Sequence, residues 1–320
     1  MRTSVLLVAA TALTLVSGLP AIAAPTSQTW AADLSSSNPD SNNVLRAGGA
    51  VQVGGDEAHA STDRLGDRMG IMMFEPHQLA SPANTVSATL DGTVPADSEL
   101  AVDVRGQRAD GQWTEWVESS SAGPAVLPEA TATVQVRMMM TAPNGTTGPQ
   151  ARGLSLTATS TPAARAQSVA RPLAARSYKV YATREGLVGG TTANGHKIKS
   201  RDHFVALPSG RALSPNGKTT YSVKVCAANG RCETAPVWDV GPWNTKDDYW
   251  NPSSTRQSWK DLAQGRPEAQ AAYQNGYNGG KDQFGRKVAN PAGIDLADGT
   301  FWDGLKLTDN SWVTVTYLWT

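Results

Sequence analysis

The sequence predicts an all-β protein, and three observations carry that prediction. Short runs that alternate apolar and polar residues recur along the chain, among them ELAVDVRG (99–106), SYKVYATR (177–184) and SWVTVTY (311–317). A period of two lets each strand bury one face. Turn formers separate the runs, at Asp91-Gly92, Asp110-Gly111, Asn144-Gly145 and Asn229-Gly230. Helical segments are expected only between Asn244 and Pro291 and in the short FWDGLKL stretch (301–307).

The elements follow in chain order. Met1-Arg2-Thr3, an apolar run from Val5 to Leu19 and Ala21-Ile22-Ala23 make a Sec-type signal peptide, residues 1–23. A secreted protein, extracellular or associated with a cell wall, is therefore expected. Residues 24–60 are rich in Ser, Asn, Gly, Asp and Ala, which predicts a disordered leader that cannot offset its ordering entropy. Residues 61–158 hold several short strands at the spacing of a β-sandwich. Within it, DVRGQRADGQWTEWVE (103–118) is a hairpin with Trp113 and Trp116 near its second strand. Residues 159–176, rich in Ala, Arg, Pro and Ser, read as a linker.

Charge narrows the partners. The 28 basic and 28 acidic residues balance, which argues against nucleic acid, whose binding needs a basic surface, and against adsorption to a membrane.

The two cysteines, Cys226 and Cys232, sit in VKVCAANGRCETAPVW (223–238). Pairing 226 with 232 and 227 with 231 leaves a three-residue loop with Gly230 at its left-handed position. In an exported chain this predicts a disulfide. A metal pair is the alternative, but it lacks further ligands, so neither metal nor cofactor is expected.

The segment 177–320 holds seven of the ten tryptophans. APVWDVGPWN (235–244) sets Asp239 between Trp238 and Trp243. Aromatic walls desolvate a carboxylate and raise its pKa, as a general acid acting on a glycosidic oxygen requires. Asp239 is therefore a candidate acid; the alternative is an Asp that forms the turn before Gly241-Pro242. WNTKDDYWNP (243–252) offers Trp243, Tyr249 and Trp250 as a sugar platform, with Asp247-Asp248 at a solvated loop tip. Residues 254–264 and 266–280 are predicted to be helical.

Four stretches, in order, resemble the double-psi β-barrel of the rare lipoprotein A-like (RlpA-like) family, related to expansins and barwin-like proteins. TTANG (191–195) is similar to the family's early Thr-Ala-Ser-Gly turn. DHFVALPSG (202–210) is similar to its Ala-His-x-x-Leu-Pro segment, NGRCETAPVWDVGPW (229–243) to its Asn-Asp-Arg-Gly-Pro-Phe region, and GIDLADGTFWDGL (293–305) to its Ile-Asp-Leu stretch. The resemblance implies a six-stranded double-psi barrel over 177–320, interrupted by a helical insertion at 244–291. It implies His203, Asp239 and Asp295 as the catalytic set of a lytic transglycosylase acting on peptidoglycan, with His203 bonding Asp239 or a substrate amide. Structural capping is the alternative role for Asp295. In the chain's departures, the insertion is longer than the family's connection, and the family's aspartate several residues before its His is missing. Two other functions stay open: a non-catalytic, expansin- or barwin-like carbohydrate binder, and an inhibitor of an extracellular protease presenting the insertion as a loop. The sandwich loosely resembles modules appended to wall hydrolases.

Overall fold

The computed structural model describes residues 27–55, 67–160 and 175–320. The signal peptide and residues 161–174 of the linker lie outside the described residues.

The N-terminal part contributes β1 (Ser27–Ala31), β2 (Val44–Ala47), β3 (Ala50–Val53), β4 (Asp67–Met73), β5 (His77–Thr93), β6 (Glu99–Gly106), β7 (Val117–Ser119), β8 (Ala125–Pro143) and β9 (Gln150–Thr159). They form one nine-stranded sheet in the order β2-β3-β9-β5-β8-β6-β7, with β1 added on β9 and β4 on β8. The long strands β5 and β8 each pair with different partners along their two halves. The sheet therefore closes over one core, in which Val51, Val86 and Leu156 meet Met72, Val104 and Met138. Part of the segment expected to be a disordered leader is ordered: β1 and β3 both pair with β9, whose neighbouring backbone supplies hydrogen bonds that composition alone does not reveal.

The C-terminal part is a closed six-stranded mixed barrel. Its strands are β10 (Arg176–Arg184), β11 (Val205–Leu207), β12 (Ser222–Ala227), β13 (Cys232–Val240), β14 (Ala292–Leu296) and β15 (Ser311–Tyr317). The order around the barrel is β10-β14-β11-β13-β12-β15, closing on β10. Two pairs are parallel, β10 with β14 and β11 with β13. Val180, Val205, Val223, Val237, Ile294 and Val315 fill the interior, each such side chain contributing about 2 kcal/mol by burial. The β12–β13 hairpin has the expected register, Cys226 opposite Cys232, and the two are disulfide-bonded. Gly230 turns it at φ +84°. No helix among the described residues is long and apolar enough to cross a membrane.

The insertion is less helical than predicted. Residues 268–275 form helix α1 (Glu268–Asn275), ended by Gly276 in the left-handed region. Residues 254–264 are turns instead, because Arg256 and the Gln257 amide are drawn onto Asp247 and Asp248. Residues 299–304 make a short π-helical turn before β15.

The sheet and the barrel are packed together. Trp116, wholly buried, belongs to the barrel's apolar cluster, and its backbone N–H donates to Arg211 O at 3.0 Å. Arg137 bridges Asp103 in the sheet and Gly210 O in the barrel. Arg105 lies over the rings of Trp113 and Trp116 and donates to the Tyr221 hydroxyl.

Candidate functional site

A β-bulge sets the position of Asp239. Val205 pairs with Val237, but the next residue, Ala206, pairs with Asp239, so Trp238 is the extra residue on β13. Val205 and Leu207 point into the core, which puts Ala206 on the barrel's outer face. Residues paired across neighbouring strands share a face, so Asp239 points outward with Ala206. Strict alternation would send Trp238 to the opposite face; the bulge breaks it. The Trp238 ring packs outside the barrel on Phe204 and His196.

The same register brings Asp295 into line. Ala206 pairs with Asp295 on its other side, and Asp295 pairs with Thr183. Asp239, Ala206, Asp295 and Thr183 thus form one row across β13, β11, β14 and β10. The two aspartates stand two strands apart, roughly 10 Å between backbones. The Thr183 hydroxyl donates to Asp295. Glu185, two residues beyond Thr183, lies beside Asp239 and favours its charged form.

A loop covers Asp239. Residues 192–196 turn tightly, with the Thr192 N–H donating to His196 O and Gly195 at φ +88°. The Ala193 N–H donates to Asp239 Oδ1 at 2.7 Å, and the Val240 N–H donates to the same oxygen at 2.8 Å. Leu187 and Ile198 pin the loop to Phe204, Ala297 and Trp238. Asp239 is left 2% exposed. Burial pushes its carboxyl up to about 6, against the neighbouring Glu185 and the N–H bonds from Ala193 and Val240, which favour the charged form.

The other sequence candidates lie elsewhere. His203 does not meet Asp239. Its Nδ1 is 2.7 Å from Oε1 of Glu233, near the start of β13 and six residues, roughly 20 Å of strand, from Asp239. The neighbouring Asp202 pairs with His196 rather than His203, at 2.6 Å. Trp243, at φ +62°, packs on Ala269, Ala272 and Val288 of the insertion and donates to Asn290. Tyr249 and Trp250 are wholly buried. The Tyr249 hydroxyl donates to Gly293 O, and the Trp250 ring stacks on Tyr317. A sugar platform needs a ring face open to water, and these two have none.

Asp247 and Asp248, expected at a solvated loop tip, are both wholly buried. Asp247 pairs with the equally buried Arg256, and Asp248 with Arg211 at 2.8 Å. Burial pushes the Asp247 carboxyl up to about 6 and that of nearby Glu268 up to about 7. These contacts hold Asp247, Asp248, Arg256 and Glu268 of the insertion in a buried network.

Sequence reasoning passed over Thr183, Glu185 and the half-buried pair Tyr181–Trp312, whose rings meet edge to face at 5.5 Å. The signal was available: in SYKVYATRE, Tyr181, Thr183 and Glu185 alternate with the core residues Val180 and Ala182. Among the described residues, no group of three or more His, Cys, Asp or Glu side chains could hold a metal ion.

A family described as a domain of unknown function (DUF8814) matches residues 176–316, which span the barrel and its insertion. No curated protein matches the chain.

Proposed function

We propose that this is a secreted protein directed at a cell-wall polysaccharide such as peptidoglycan, and that its barrel, of the RlpA-like double-psi type, holds glycan without cutting it. The mixed six-stranded closure with two parallel pairs is compatible with that barrel. The half-buried Tyr181–Trp312 pair, on the outer face near the row of Asp239 and Asp295, supports a sugar-facing surface. The observation that favours holding over cutting is the closure of Asp239, 2% exposed beneath the 192–196 turn. An acid that must reach a glycosidic oxygen needs a path to it.

The second reading is a lytic transglycosylase with Asp239 as its acid. It draws on the carboxyl held near 6 beside Glu185, since such an enzyme needs a proton donor near working pH. The test uses mature protein and its Asp239→Asn variant on peptidoglycan, with pelleting and mass spectrometry of released products. Both proteins should pellet with the glycan and release nothing. Anhydro-muramyl products from the wild type that vanish in Asp239→Asn would replace the holding role with catalysis.

A further inference from the structure

A cavity of about 190 Å³ opens along the seam between sheet and barrel. Its apolar wall comes from both sides: Val117, Val126 and Pro128 from the sheet, Trp319 from the barrel. Val126 is 57% exposed, so this wall faces solvent without a covering side chain.

Two arginines line the same cavity, Arg108 from the sheet and Arg176 from β10. Arg176 has no carboxylate partner among the described residues, whereas Arg108 is loosely paired with Glu129. Arg176 donates to Asn251 Oδ1 at 2.8 Å and to Trp250 O at 3.4 Å, both uncharged acceptors, and it makes no ion pair among the described residues. Arg108 donates to Trp319 O at 3.1 Å, and Glu129 lies 3.8 Å away. Glu115 also lines the cavity, but its two oxygens are engaged by the Trp250, Trp319 and Asn251 side chains. A third arginine, Arg211, is answered by Asp248. The result is a guanidinium without a carboxylate partner, Arg176, and a loosely paired one, Arg108, beside an apolar wall. A guanidinium carries five donors in a fork that matches a carboxylate.

We propose that this seam cavity binds the free carboxylate end of a short peptide whose last residue has a small apolar side chain. A cavity of roughly 150 Å³ accepts a six-carbon ring, so 190 Å³ takes one such residue and not a longer chain. An inorganic anion would leave the apolar wall unused. The wall's stem peptides are the source under the reading above; the proposal rests on that reading for the source alone.

N-acetylalanine is the probe, followed through the indole N–H resonances of the full protein, with its N-methylamide and with acetate as controls. N-acetylalanine should bind at least tenfold more tightly than either control, and Arg108→Gln and Arg176→Gln should each weaken it at least tenfold. Both arginines also tie the seam, so Val126→Asp serves as a second variant: its exposed site should keep the melting temperature while binding is lost. Equal binding of the N-methylamide, or binding unchanged in all three variants, would overturn the proposal. Pelleting with intact and with stem-stripped glycan separates the two ideas. Probe binding together with pelleting on intact wall alone keeps the cavity and removes the glycan-holding barrel.

Discussion

The side-chain amide of Asn42 donates to the backbone carbonyl of Asn194 at 3.0 Å. Asn42 belongs to the N-terminal sheet, held by paired backbone bonds with Ile71. Asn194 belongs to the turn that covers Asp239, and its own amide donates to Ser214 O at 3.0 Å. The sheet therefore touches the cover of the buried carboxyl directly. Asn42→Ala removes one hydrogen bond worth about 0.5–1.5 kcal/mol. Hydrogen exchange of the Ala193 and His196 amides should then quicken by up to about tenfold. Unchanged exchange would mean that the barrel alone holds the turn closed.

Asp239 gives a signed dependence on pH. Its carboxyl sits at about 6 in the fold against an ordinary 3.8. Between those values the folded protein keeps a proton that the unfolded chain has released, so this group's contribution to stability falls as pH rises through that window and stays lowered above it. Asp239→Asn keeps an acceptor for the Ala193 and Val240 amides and removes the charge. The variant should exceed wild type in stability at pH 7 by about 1–3 kcal/mol, and the two should converge below about pH 4. Urea unfolding across this range measures the gap; a gap independent of pH would contradict the assignment.

The buried pair in the insertion predicts a non-additive result. Asp247→Ala leaves Arg256 charged and wholly buried without its carboxylate. Such a loss costs about 3–5 kcal/mol. Asp247→Leu combined with Arg256→Met should cost less than Asp247→Ala, because the double change buries no charge. Thermal unfolding of the three proteins reads this out, and a double variant worse than the single would refute it.

Glu115 anchors the seam through three donors, the Trp250 and Trp319 indoles at 2.7 and 2.6 Å and the Asn251 amide at 2.6 Å. Glu115→Ala leaves all three without this acceptor, at about 1–3 kcal/mol for each that stays buried and unsatisfied. Glu115→Gln retains one acceptor oxygen and should lose less. A single cooperative melt that drops by several degrees is expected. Two separate transitions in the alanine variant would show that the seam is what makes sheet and barrel unfold together.

Much of the strand content was legible because its cause is local. Alternation in SYKVYATR and SWVTVTY, and Asn229-Gly230 between the cysteines, mark β10, β15 and the β12–β13 hairpin without knowledge of distant partners. The acidic site was half legible. Asp239 and Asp295 could be picked out as candidates, but Glu185 could not be joined to them, because that needs the β10–β14 register. His203, expected to bond Asp239 or a substrate amide, lies three residues before Ala206, the strand partner of Asp239, and so meets Glu233 further back along β13. The aromatic stretch 243–252 failed differently. Its composition fits a wet loop, and only Arg256, Arg211 and Glu115, brought in from elsewhere in the chain, make burial of its charges and rings tolerable.

The sequence by itself determined the all-β class, the disulfide hairpin and most of the barrel's strands, since period-two patterning and turn chemistry act over a few residues. Only the tertiary structure decided which carboxyls meet, that a bulge turns Asp239 outward with Trp238, and that the sheet closes against the barrel. Those outcomes depend on register and pairing between residues far apart in the chain, where each buried charge or donor is stable only if its partner arrives.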